Sequence, residues 1–160
     1  MPEDYFGEDV AARYDGSIGE FGEPAAIEAA VGFLAELAGD GPALELGIGT
    51  GRIALPLVVC GVPVHGIDLS EAMVARLRAK PGGEGIPVTL GDFATTRVEG
   101  RFALAYVVFN TIMDLRTQER QVACFENVAV HLDGAAASRW RSCSPSCSAC
   151  SEANGFSRST

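Results

Sequence analysis

Basic side chains are scarce in this chain of 160 residues: 12 Lys and Arg stand against 21 Asp and Glu, a formal net charge of −9. A nucleic-acid backbone or an anionic membrane needs a basic face to dock on, so neither is expected as the main partner. No apolar run approaches the roughly 20 residues of a membrane span. The start, Met1-Pro2-Glu3-Asp4, lacks the positive and apolar regions of a secretory signal. A soluble, cytoplasmic protein is the expectation. Histidine is nearly absent, with His65 and His131 alone. The first falls within a predicted strand and the second near a helix end, so both read as structural and no catalytic base is evident. With 48% hydrophobic residues there is material for one core, in a chain short for a cofactor-binding enzyme.

The composition breaks near residue 133. Residues 1–133 carry nine basic and 20 acidic side chains, a net of −11, and two of the ten serines. Residues 134–160 hold the other eight, three of the five cysteines and the single Trp, with a net charge of +2. Two parts are expected: a folded domain over 1–133 and an irregular, disordered tail over 134–160.

Within the first part, Tyr5 to Phe21 reads as an acidic arm or loop. Ile27, Val31, Leu34 and Leu37 recur at helical spacing after Pro24. Strands are predicted over Ala43–Leu46, Val62–Ile67, Ile86–Leu90 and Phe102–Phe109, the last apolar enough to be buried on both faces. Helices are predicted over Arg52–Val59, Glu71–Lys80 with Ser70 as N-cap, and a stretch capped by Thr117 with Val122, Phe125, Val128 and Leu132 inward. Alternating strands and helices mean a parallel sheet flanked by helices, an α/β fold.

The first strand runs into Gly47-Ile48-Gly49-Thr50-Gly51. Residues without side chains let the backbone approach a ligand, and a following helix offers free N–H groups. Asp68 closes the second strand, where a carboxylate can accept two ribose hydroxyls. Asp92-Phe93 closes the third, placing an acceptor and a ring where an adenine would lie. A dinucleotide fingerprint wants Gly or Ala at position 52, where this chain has Arg52, and Glu45 is a poor neighbour for a pyrophosphate. An adenosine that carries an amino acid fits these residues better than NAD, since an ammonium could pair with Glu45.

Leu44-Glu45-Leu46-Gly47-Ile48-Gly49-Thr50-Gly51, His65-Gly66-Ile67-Asp68-Leu69-Ser70-Glu71-Ala72-Met73 and Gly91-Asp92-Phe93 together resemble the successive motifs of class I S-adenosylmethionine-dependent methyltransferases. The resemblance spans about residues 5 to 133. It implies a Rossmann-like sheet and S-adenosyl-L-methionine as cofactor. Glu45, Gly47, Gly49 and Gly51 would line the methionine part, and Asp68 would take the ribose. Leu69 and Met73 would lie beside the adenine, with Asp92 accepting from its amino group and Phe93 packing nearby. Tyr14 would close over the cofactor, and Asn110 would face the methyl group and orient a substrate. The reaction implied is methyl transfer to an O, N or C nucleophile of a small molecule. The alternatives are a truncated, non-catalytic cofactor-binding remnant and an NAD-binding oxidoreductase domain.

The family continues after its fourth helix with a Pro-Gly-Gly turn and further strands, where this chain reads Asp133-Gly134-Ala135-Ala136-Ala137. The expectation is an incomplete class I fold of about four strands in the order 3-2-1-4, cut short or shifted in frame near residue 133. Cys143, Cys147 and Cys150 match the spacing that binds a [4Fe–4S] cluster in radical enzymes, but a Ser-rich tail makes accidental spacings common, and no metal site is assigned. Cys60 and Cys124 read as small buried hydrophobes.

Overall fold

The computed structural model describes residues 7–17 and 24–134. The tail cysteines and nearly all of the 134–160 segment fall outside the described residues. The elements are α1 (Glu8–Ser17), α2 (Pro24–Ala38), β1 (Ala43–Leu46), α3 (Ala54–Val59), β2 (Val64–Asp68), α4 (Glu71–Arg78), β3 (Val88–Leu90), β4 (Leu104–Tyr106) and α5 (Gln118–Ala129). The four strands form one parallel sheet in the order β3-β2-β1-β4, as expected. β1 is central and all four of its residues are buried, because apolar layers cover both faces of the sheet. Val31, Leu34, Ile53, Leu57 and Leu77 pack in the layer that Ala43 faces. Leu44, Leu46, Ile67, Phe93 and Leu115 pack in the other, with Cys124 of α5.

The predicted caps are present: the Ser70 hydroxyl accepts from the Met73 N–H at 3.3 Å, and that of Thr117 accepts from Arg120 N–H. Pro56 is tolerated because it is the third residue of α3, where an N–H has no intrahelical acceptor.

Three expectations are corrected. Part of the arm is helical: α1 has Glu8 and Asp9 in its first turn, buries Ala11 and packs against α4. β4 is three residues long rather than eight and only half-buried at Leu104 and Ala105. Among the described residues it pairs with β1 alone, and one isolated parallel bridge, Phe102 to Leu132, lies ahead of it. α5 keeps Val128 against the core but is rotated from the expected face. Val122 and Phe125 are exposed, while Cys124, Asn127 and His131 are buried. That face is mixed: Cys124 and the half-buried Val128 pack in the apolar layer with Phe93, whereas Asn127 and His131 bond backbone groups of the segment after β3. No described helix is long and apolar enough to cross a membrane.

Candidate functional site

The loop after β1 is fixed from three sides. Gly47, Gly49 and Gly51 all have left-handed φ values, 72°, 55° and 76°. A Cβ at Gly47 would lie 2.5 Å from the Thr111 methyl, and one at Gly51 would lie 2.2 Å from Leu77 Cδ1, so neither position has room for a side chain. Asp68 at the end of β2 holds the loop from the side: its Oδ2 accepts from the Gly49 N–H at 2.6 Å and its Oδ1 from the Ser70 N–H at 2.8 Å. Lys80 Nζ donates to the Thr50 carbonyl at 2.9 Å.

Beneath the loop, Glu45 is 2% exposed on β1. Tyr106 on the neighbouring β4 donates its hydroxyl to Glu45 Oε2 at 2.9 Å. Burial pushes the Glu45 carboxyl up to about 8; the Tyr106 hydrogen bond opposes the shift and the charge of Asp68 adds to it. Burial and the adjacent Glu45 push the Tyr106 hydroxyl upward as well. A carboxyl so placed stays protonated near neutral pH until a cation arrives to pair with it.

Glu45, Gly47, Gly49, Thr50 and Arg52 line a shallow recess open to solvent, together with Tyr14 from α1 and Phe109 and Thr111 from beyond β4. Of the residues assigned to a methionine part, Glu45, Gly47 and Gly49 therefore meet in one cavity with Tyr14, whereas Gly51 serves the turn and packs on Leu77 and Leu55. Phe93 Cε1 comes within 3.9 Å of a Cβ built on Gly47, and Met73 Cε within 3.5 Å of one on Gly49. Leu69, 39% exposed, follows Asp68 at the rim. Asn110 does not line the recess; its neighbours Phe109 and Thr111 do. Phe109 and Asn110 are both in the left-handed region, φ 54° and 62°, in a turn closed by Thr111 N–H to the Val108 carbonyl at 3.2 Å. For a residue as bulky as Phe this conformation costs on the order of 1–2 kcal/mol.

Asp92, after β3, is already engaged: Oδ1 accepts from the Ala94 N–H at 2.9 Å and Oδ2 pairs with the Arg120 guanidinium. The segment from Asp92 to Val98 hangs on α5. Asn127 Nδ2 donates to the carbonyls of Phe93 (2.9 Å) and Thr96 (2.8 Å). His131 takes the Val98 N–H on Nε2 at 3.0 Å and reaches the Asn127 carbonyl through Nδ1 at 2.7 Å. Both ring nitrogens are thus committed, which makes His131 structural. His65 Nε2 lies 2.9 Å from Thr89 Oγ1, another framework contact. Sequence reasoning missed Arg52, Tyr106, Arg120 and Asn127. The spacing of Arg120, Cys124, Asn127 and His131 along one helical face was the available signal for the last two. Replacing Asn127 by Leu is expected to leave the buried Phe93 carbonyl and the part-buried Thr96 carbonyl without this donor and cost about 2 kcal/mol, read from urea unfolding.

A family model described as a methyltransferase domain matches residues 43–134. No curated protein matches the chain. Among solved structures, the CcbJ methyltransferase of Streptomyces caelestis is 38% identical with a TM-score of 0.73, over 81% of this chain and 53% of that one. The sugar N-methyltransferase KedS8 of a Streptoalloteichus species is 23% identical, with a TM-score of 0.65 over 83% of this chain and 53% of that one. The glycopeptide N-methyltransferase MtfA, complexed with S-adenosyl-L-methionine, is 24% identical with a TM-score of 0.56, over 66% of this chain and 49% of that one. The chain therefore spans about half the length of the solved structures it matches.

Proposed function

Because this chain belongs to the methyltransferase-domain family, we propose that it binds S-adenosyl-L-methionine and serves methyl transfer to an O, N or C nucleophile of a small molecule. The observation that carries this reading is the recess with the buried Glu45 carboxyl at its base and a side-chain-free loop above it. An ammonium brought against Glu45 favours its ionised form and pairs with it, whereas a pyrophosphate has no cation there to meet once Glu45 is ionised; this disfavours the NAD reading.

In this reading Glu45 and the backbone of Gly47 and Gly49 hold the methionine part, with Gly51 shaping the turn and Tyr14 covering it. Asp68, whose oxygens are oriented by two backbone N–H groups, takes the ribose hydroxyls. Leu69, Met73 and Phe93 flank the adenine, and Asp92 accepts from its amino group. Asn110 orients the acceptor from the turn after β4. The bound cofactor would supply a methyl group made electrophilic by its sulfonium. What the chain supplies is orientation, and alignment of two reactants accounts for much of the acceleration such a displacement needs. A small-molecule acceptor is supported by relatives that are sugar and glycopeptide N-methyltransferases. Residues 1–133 form the cofactor-binding domain in this reading, and its net charge of −11 suits a cytoplasmic enzyme without a nucleic-acid partner.

Cofactor binding without transfer is the second reading. Its support is that the recess draws on β1, α1 and the turn after β4, whereas among the described residues β4 pairs with β1 alone and one isolated bridge, Phe102 to Leu132, lies ahead of it. Isothermal titration of the full chain with S-adenosyl-L-methionine and with NAD tests the proposal. Saturable binding of the first at micromolar concentration and none of the second is expected, and folded protein that binds no S-adenosyl-L-methionine would refute it. Binding without methyl transfer to any acceptor pool selects the second reading.

A further inference from the structure

The Arg52 side chain joins three parts of the molecule. Its guanidinium carbon lies 5.4 Å from the centroid of the Tyr14 ring on α1 and 5.6 Å from that of Phe109 in the turn after β4. Arg52 itself follows Gly51 and leaves the glycine loop. All three side chains line the recess, together with Glu45 and Thr111. A planar, delocalised cation can stack on aromatic rings in a way that the compact ammonium of lysine cannot. The Phe109 ring is offered to Arg52 by a backbone held in the left-handed region, where a bulky residue persists only when its surroundings over-determine it.

We propose that Arg52 is a positioning residue that latches α1 over the recess and ties that closure to the turn carrying Phe109 and Asn110. Covering of the methionine side by Tyr14 and placement of the acceptor side by Asn110 then depend on one side chain. The ligand rests on the cofactor reading above; the latch itself does not.

Amide hydrogen exchange of the full chain without ligand tests the latch. Arg52→Lys and Arg52→Gln are expected to speed exchange across residues 8–17 by about tenfold while β1 and β2 exchange as in wild type. Tyr14→Leu, which removes the ring, should match Arg52→Gln. In the double variant Arg52→Gln with Tyr14→Leu, the two losses should fall well short of adding. In titrations, Arg52→Lys should weaken S-adenosyl-L-homocysteine by about tenfold and leave adenosine, which lacks the amino-acid part, within about twofold. Unchanged exchange over 8–17 in both Arg52 variants, or full additivity with Tyr14→Leu, overturns the latch. Equal weakening of both ligands overturns its link to the recess. If wild type binds neither ligand, the cofactor reading fails, and the exchange measurements still decide the latch.

Discussion

Replacing Glu45 by glutamine is expected to remove a steep pH dependence of stability. The buried carboxyl titrates near 8 in the folded chain against an ordinary value of 4.5. A group whose folded value is raised binds its proton more tightly in the native state. Its stabilising contribution is therefore complete below about pH 4.5 and is lost as pH climbs towards 8. Within that window each pH unit costs at most about 1.4 kcal/mol. Glutamine has the shape of the protonated acid and can still accept from the Tyr106 hydroxyl, but cannot ionise. Urea midpoints at pH 5, 6, 7 and 8 should fall with pH in wild type and much less in Glu45→Gln. A difference between the two proteins that does not change with pH would refute the assignment.

The same substitution bears on the ligand. An ammonium brought against Glu45 favours the charged carboxylate, so binding near pH 7 should release close to one proton per site. Calorimetry in two buffers of different ionisation enthalpy reads that release directly. Glu45→Gln should show none from this site and should bind S-adenosyl-L-homocysteine about tenfold or more weakly, because a neutral amide attracts an ammonium less than a carboxylate does.

Asp68→Asn is expected to be the most damaging single change at the site. Both oxygens of Asp68 accept from backbone N–H groups, of Gly49 and of Ser70. An amide has one acceptor oxygen, so its NH₂ must face one of those donors. Loss of a charge-assisted bond together with an orphaned buried N–H costs on the order of 2–3 kcal/mol. The cost falls on two functions at once. The Gly49 end of the loop is released from β2, and under the proposed cofactor reading the ribose would lose an acceptor. Affinity for S-adenosyl-L-homocysteine should fall about a hundredfold, with a clear loss in urea midpoint. A variant with wild-type midpoint and affinity would show that Asp68 neither anchors the loop nor meets the ligand.

The ligand-binding edge was legible because the first three strands each end in a feature that depends on short-range chemistry: the glycine loop, Asp68 and Asp92-Phe93. Parallel strands joined through helices place such ends on one edge of the sheet. The Ser70 and Thr117 caps were legible for the same reason, since a cap bonds residues only three positions away. α5 shows where this stops. Val122, Phe125, Val128 and Leu132 have helical periodicity as good as the true inward stripe, yet Val122 and Phe125 are exposed. Periodicity identifies a face but not its partner. Here the partner is the loop from Asp92 to Val98, whose carbonyls and N–H groups need Asn127 and His131 rather than apolar side chains. The length of β4 was overestimated because an apolar run does not say how many residues have a neighbour to pair with.

By itself, the sequence determined the parallel sheet and the loop on which a ligand could rest, since these follow from local backbone demands and from the alternation of strand and helix; the order of the strands came with the resemblance of the motifs to a known family. Only the tertiary structure decided the electrostatics. Glu45 and Tyr106 lie 61 positions apart and meet because β1 and β4 are adjacent in register. Arg52 meets Tyr14 and Phe109 only because an N-terminal helix and a strained turn converge on the same recess. A carboxyl shifts when water is excluded from it, and that exclusion requires segments distant in sequence to close around the group.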